Sequence, residues 1–135
     1  MIAIKEVMTR NVITVQRETP IYEALDLLER HHISGLPVVN DEMKVVGILS
    51  EKDVLELLLN PKVGVNTTVE KYMSRKVTCF EEDDDIFVIC QFLIKGWVRR
   101  VPIVKDGKLT GIISRSDMIR LIMEAHRKMS DYRFH

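Results

Sequence analysis

The sequence predicts an α/β (α+β) fold made of two β-α-β-β-α repeats packed as a pseudo-two-fold pair. Three observations carry this: an internal duplication, apolar periodicity that switches between helix and strand in the same order twice, and copies too short to stand alone. Met8 matches Met73, Arg10 matches Arg75, Val12 matches Val77 and Ile21 matches Ile86. Farther on, Pro37 matches Pro102, Gly47 Gly111, Ser50 Ser114 and Asp53 Asp117, with one single-residue gap near Glu42. Self-similarity of this kind marks repeated supersecondary units. A unit of roughly fifty residues is marginal for an independent core, so the copies are expected to pack together. The boundaries read from the repeat are 1–60 and 69–125 for the two copies, 61–68 for a linker and 126–135 for a C-terminal tail.

Each copy gives the same elements in order. An extended segment comes first, Val12–Val15 or Val77–Phe80. A helix follows, with apolar positions Ile21, Ala24, Leu25 and Leu28, matched by Ile86, Ile89, Cys90 and Leu93; this i, i+3, i+4, i+7 spacing lines one helical face. Pro20 suits a first helical position, where its missing N–H has no partner to lose. Two apolar strands come next, Leu36–Val39 and Val45–Leu49, then Val101–Val104 and Leu109–Ile113. Asn40-Asp41-Glu42 and Asp106-Gly107 supply hairpin-turn chemistry between them. A second helix closes each copy, its inner face read as Val54, Leu57 and Leu58, then Met118, Leu121, Ile122 and Ala125. Pro61 and Gly64 break the chain in the linker. Beyond it "VEKYM" mirrors the "IKEVM" ahead of the first copy, with Thr67 or Thr68 as a candidate cap.

Composition narrows the function classes. Hydrophobic residues make up 46% and charged ones 30% of 135 residues, an ordinary globular balance. Twenty basic residues offset twenty acidic ones, so no net field favours nucleic acid or an anionic membrane. The Arg99-Arg100 pair is too small a basic patch to read as a nucleic-acid surface. No apolar run approaches the ~20 residues that span a bilayer, and the N-terminus lacks signal-peptide features; a cytoplasmic location is expected. Cys79 and Cys90 match no metal or redox spacing and read as reduced packing thiols.

The sharpest constellation is Gly47-Ile48-Leu49-Ser50-Glu51-Lys52-Asp53, repeated as Gly111-Ile112-Ile113-Ser114-Arg115-Ser116-Asp117. A strand runs into a helix with a hydroxyl at the junction and a carboxylate three residues on. Ser-x-x-Asp is a capping-box variant, with the acid at the positive end of the helix dipole. Capping and ligand binding are compatible. A helix start offers free N–H groups to an anion, and a carboxylate there accepts hydrogen bonds from a sugar diol.

The duplicated "M…VIT…P…A…L…ISGLPVV…GILS..D" pattern resembles the CBS domain, over residues 8 to 122. The resemblance implies a β-α-β-β-α unit, two of which form a Bateman module with two clefts between the copies. In many members these clefts bind AMP, ADP, ATP or S-adenosylmethionine, with magnesium accompanying ATP; no other cofactor is implied. Carried over by position, Asp117 would hold the ribose, with Ser114 and Ser116 reaching sugar or phosphate. Arg100 stands where relatives use a basic residue on phosphate, with Arg99 beside it. Ile112 would lie against the base, and Asn11, Ile13 and Ser34 would complete the wall. The mirror cleft would use Asp53, Ser50, Ile48, Lys52, Lys76 and Thr78. Gly35 stands where the other copy has Arg100, so the Asp117 cleft is expected to be the main site. The same resemblance implies a homodimer formed through helices, and Met118, Met123 and Met129 suit an adaptable surface on the last one.

Other features favour plain structural readings. Glu81-Glu82-Asp83-Asp84-Asp85 precedes a helix, where negative charge complements the dipole, and no Gly-spaced calcium loop accompanies it. His31-His32 falls at a helix C-terminus, which favours histidine. Trp97 reads as a packed aromatic at a helix end rather than a base-stacking residue. No metal site, nucleophile-and-base pair or P-loop emerges. The expected function is therefore a non-enzymatic adenosyl-ligand sensor that signals to a separate effector protein, with a structural or oligomerisation module as the alternative.

Overall fold

Apolar residues three and four apart fold as helices here, and side-chain caps at Ser50, Asp85 and Ser114 mark three of the helix starts. The structure is a computed structural model that describes residues 2–96 and 98–134. In chain order the elements are α1 (Ile4–Val7), α2 (Ile21–His31), β1 (Gly35–Val39), β2 (Val45–Ser50), α3 (Glu51–Val54) and α4 (Glu56–Leu59). A 3₁₀ turn at Pro61–Gly64 leads to α5 (Val69–Tyr72), β3 (Phe80–Glu81), α6 (Ile86–Lys95), β4 (Arg100–Lys105), β5 (Lys108–Ser114) and α7 (Arg115–Phe134). The mixed α+β composition follows the duplicated order expected from sequence.

The helices α2 and α6 bury Ile21, Ala24 and Leu28, and Ile86, Ile89 and Leu93; Leu25 and Cys90 are half-buried beside them. The acidic run ends in a cap: Asp85 precedes α6 and its side chain accepts from the Phe87 N–H. Strands β1 and β2 pair antiparallel, with Gly35 opposite Ser50 and an irregularity between Val38 and Val39. Asn40 Oδ1 accepts from the N–H groups of Glu42 and Lys44, closing that turn. The other hairpin turns on Asp106 and Gly107, at φ 53° and 79°, left-handed values that glycine adopts without strain. The second sheet has the order β3-β4-β5, with β3 parallel to β4.

Several local expectations are corrected. Val12–Val15 forms no strand; Val15 makes a single parallel bridge to Val38. In the second copy the strand shrinks to Phe80–Glu81. Pro20 caps α2 rather than opening it, because its ψ of 138° is extended. Thr68 precedes α5 but makes no side-chain cap, and Thr67 contributes its carbonyl to the Ile21 N–H instead. The first copy's closing helix breaks at Leu55, leaving Val54 and Leu57 buried but Leu58 85% exposed. In α7, Met118 is buried and Leu121 half-buried, while Ile122 is 62% exposed and Ala125 is exposed. Local periodicity found these apolar positions but not which had neighbours. Trp97 and His135 lie outside the described residues.

The compact units cut across the sequence repeats. One comprises residues 1–12, 79–105 and 110–135; the other comprises 13–78 and 106–109. In the first, Ile4, Val7 and Met8 pack with Ile86, Ile89, Leu93, Val101, Ile103, Ile113 and Met118. In the second, Val69, Tyr72 and Met73 pack with Ile21, Ala24, Leu36, Val38, Leu49 and Leu57. Each short lead helix thus joins the core of the repeat it does not precede in sequence.

Candidate functional site

Both Ser-x-x-Asp segments sit where a strand hands over to a helix. At the end of β2, Asp53 N–H donates to Ser50 Oγ at 3.3 Å, and Ser50 N–H donates back to Asp53 Oδ2 at 2.9 Å. This reciprocal capping box satisfies two donors that a helix start would leave unpaired. At the end of β5, Asp117 N–H donates to Ser114 Oγ at 3.3 Å, while Ser114 N–H and Oγ donate to Asp117 Oδ2 at 2.8 and 3.0 Å. The capping reading of the motif holds in both copies.

Beyond the cap, the carboxylates differ. Asp117 is 4% exposed, the one buried charged side chain among the described residues. Its Oδ1 accepts from Thr9 Oγ1 at 3.3 Å and is ion-paired with Arg120. Asp53 is half-buried, and Ser50 is its one hydrogen-bond partner among the described residues. Sequence reasoning missed Thr9 and Arg120. The signals were present: Thr9 pairs in the repeat with another hydroxyl, Ser74, and Arg120 stands one helical turn after Asp117, where the first copy has Glu56.

The expected site residues divide between the units. Asn11, Arg99, Arg100, Ile112, Ser114, Ser116 and Asp117 belong to one; Ile13, Ser34, Ile48, Ser50, Lys52, Asp53, Lys76 and Thr78 belong to the other. Asn11, Arg99 and Ser116 are exposed, Arg100 and Ser114 half-buried and Ile112 buried. Ile112 exchanges both backbone hydrogen bonds with Thr9, at 2.9 Å each. The Arg115 N–H donates to the Arg99 carbonyl at 3.0 Å, which fixes the backbone of the basic pair beside the start of α7. In the other unit Glu51 N–H makes the same bond to the Ser34 carbonyl, and Ile48 exchanges backbone bonds with Ser74. Lys52, Lys76 and Thr78 are exposed. Gly35 is buried in β1, and a Cβ there would lie 3.2 Å from the Leu49 carbonyl oxygen.

Two side chains elsewhere in the chain have raised pKa values. The Tyr72 hydroxyl is buried without a hydrogen-bond partner among the described residues; loss of water, then the Glu56 and Tyr22 side chains, raise its pKa above 10.0. Burial, then Glu81, raises the Cys79 thiol, which disfavours the reactive thiolate.

The CBS domain family model matches residues 4–60 and 69–124. The chain therefore belongs to the CBS domain family, as a tandem pair. It is similar to CBSX2 of Arabidopsis thaliana, whose structure in complex with AMP superposes with a TM-score of 0.83 at 26% identity, over 93% of this chain and 99% of that one. It also resembles the CBS domain pair of protein MJ0100 in complex with 5′-methylthioadenosine and S-adenosyl-L-methionine. There the TM-score is 0.79 at 28% identity, over 93% and 98% of the two chains. In sequence it is 31% identical over 119 residues to MJ1225 of Methanocaldococcus jannaschii, which covers 88% of this chain but 42% of that relative's length. No helix among the described residues is long and apolar enough to cross a membrane.

Proposed function

We propose that this CBS pair is a regulatory module that binds an adenosyl compound, AMP, ADP, ATP or S-adenosylmethionine, and passes its occupancy to a separate effector protein. The observation that carries the reading is the buried Asp117 carboxylate, fixed at a helix start by Ser114 beside the hydroxyl of Thr9. A carboxylate so placed can accept a hydrogen bond from a ribose hydroxyl, and its burial strengthens that bond. The AMP, methylthioadenosine and S-adenosylmethionine complexes of the similar CBS proteins support it. In this reading Asp117 holds the ribose, with Ser114, Ser116, Asn11 and Ile112 of the same unit around the nucleoside. Arg100 and Arg99 suit a phosphate through the planar donor fork of the guanidinium, with magnesium needed only for ATP. Asp53, Ser50, Ile48, Lys52, Lys76 and Thr78 form the weaker second site. The module works by binding and not by catalysis, in a cytoplasmic setting.

A thermal-shift screen with the four compounds tests this, followed by titration calorimetry on Asp117→Ala and Asp53→Ala. A ligand at 100 times its Kd stabilises by about 2.7 kcal/mol, a readily measured rise in Tm. Stabilisation by none of them would leave an oligomerisation module as the better account. Equal loss of affinity in the two variants would refute the primacy of Asp117.

A second observation favours self-association. Both copies expose apolar side chains at matching positions: Tyr22 and Phe87, Leu55 and Ile119, Leu58 and Ile122, Leu59 and Met123. Met129 continues the exposed set along α7. An apolar stripe kept at the same places in both copies suits a closed homodimer, in which each half meets its like. Sedimentation should report a dimer that Leu58→Glu with Ile122→Glu converts to monomer; a monomeric parent chain would defeat this part of the proposal.

A further inference from the structure

We infer that Arg120 is an internal competitor for the Asp117 carboxylate, a latch that an incoming ribose must release. The inference rests on the ligand-binding reading above and adds a regulator to it. A carboxylate offers about four acceptor positions. Those of Asp117 are taken by Ser114 N–H, Ser114 Oγ, Thr9 Oγ1 and Arg120. A ribose hydroxyl that donates to this carboxylate needs a position already in use. The Ser114 N–H is fixed at the helix start and cannot leave. The Thr9 hydroxyl is small, and its backbone is tied to Ile112. Arg120 is the partner able to withdraw, since its side chain is 57% exposed while that of Asp117 is 5% exposed.

A withdrawn guanidinium also has somewhere to go. Asp117 and Arg120 line a groove of about 250 Å³ between α1 and α7, together with Glu6, Glu124 and Lys128. Glu124 lies four residues after Arg120, the spacing at which opposite charges pair on a helix. Arg120 thus has two acidic partners on opposite sides along α7, Asp117 in the closed state and Glu124 in the open one. The first copy has no counterpart of the latch: Glu56 occupies the position and cannot donate to Asp53.

Adenosine is the suitable probe, because without a phosphate it can gain nothing from the guanidinium directly. Calorimetry would be run in an Asp53→Ala background, so that only the Asp117 motif reports. Arg120→Ala should bind adenosine about two- to fivefold more tightly, the scale of a half-exposed ion pair. Arg120→Lys, which keeps the charge, should stay near the parent value. Glu124→Gln should bind more weakly, because the open position of Arg120 is lost. Unchanged or weaker binding by Arg120→Ala, while the parent chain binds normally, overturns the latch and leaves the ligand-binding reading standing. Absence of adenosine and AMP binding in the parent chain overturns both.

Discussion

Asp53 and Asp117 close the same strand and open the same kind of helix, yet they present different chemistry. Asp53 is half-open to water and, among the described residues, bonded only to its capping serine. Asp117 is buried and fully occupied, with Thr9 and Arg120 added to the cap. A duplicated motif therefore guarantees the cap but not the ligand site. The cap needs only residues i and i+3, whereas carboxylate availability depends on groups one helical turn on or a hundred residues away.

Removing each carboxylate gives the largest contrast. Asp117→Ala strips the acceptor from the Ser114 N–H, the Thr9 hydroxyl and Arg120, and should cost about 2–3 kcal/mol in urea unfolding. Asp53→Ala loses a capping box near the surface and should cost about 1 kcal/mol. Equal costs would mean that the extra partners of Asp117 add nothing to stability. The matched glycines sharpen the comparison from the strand side. A Cβ on Gly47 would sit 2.8 Å from the Ser74 carbonyl oxygen, which moves only with its backbone. On Gly111 the tightest contact is Met8 Sδ, the far part of a flexible side chain. Gly47→Ala should therefore cost about 2 kcal/mol and Gly111→Ala about 1 kcal/mol, measured as shifts in denaturation midpoint at constant slope. A reversed order would place the more rigid clash at Gly111.

The smallest effect lies at the lead helices, where Tyr72 of one core matches Val7 of the other. The folded-state pKa of Tyr72 is raised, so its stabilising neutral form is fully present below pH 10.0. That contribution is lost as pH climbs through the higher folded value. Parent stability should fall more steeply above pH 10.0 than that of Tyr72→Phe, as followed by unfolding at several alkaline pH values. Parallel curves would show that Tyr72 is not perturbed.

Much of the fold was legible because it is written locally. The 3.6-residue spacing of Ile21, Ala24 and Leu28 needs no distant partner to be recognised, nor does the Asp106-Gly107 turn. What escaped depends on other parts of the chain. Val12–Val15 has strand composition but finds only one bridging residue. Leu58 and Ile122 keep the helical period yet stay largely exposed. At the candidate site, Ser114 and Asp117 were readable as a pair. Thr9 was not, since its contact with Asp117 spans 108 positions. Arg120 was within local reach, and comparing it with Glu56 in the other copy would have exposed it.

The exchanged lead helices set the order in which a nascent chain can be satisfied. Ile4, Val7 and Met8 leave the ribosome well before their core partners Val101, Ile103 and Ile113, which come from the far half of the sequence. The other unit is nearly complete once residue 78 has emerged, lacking only residues 106–109. That apolar segment must therefore wait for residues 101–113 before its own core can form, and a long loop must close before it is covered. Cutting the gene between the sequence repeats would strand each lead helix with the wrong half. Two fragments made that way should recover a native fold only when mixed.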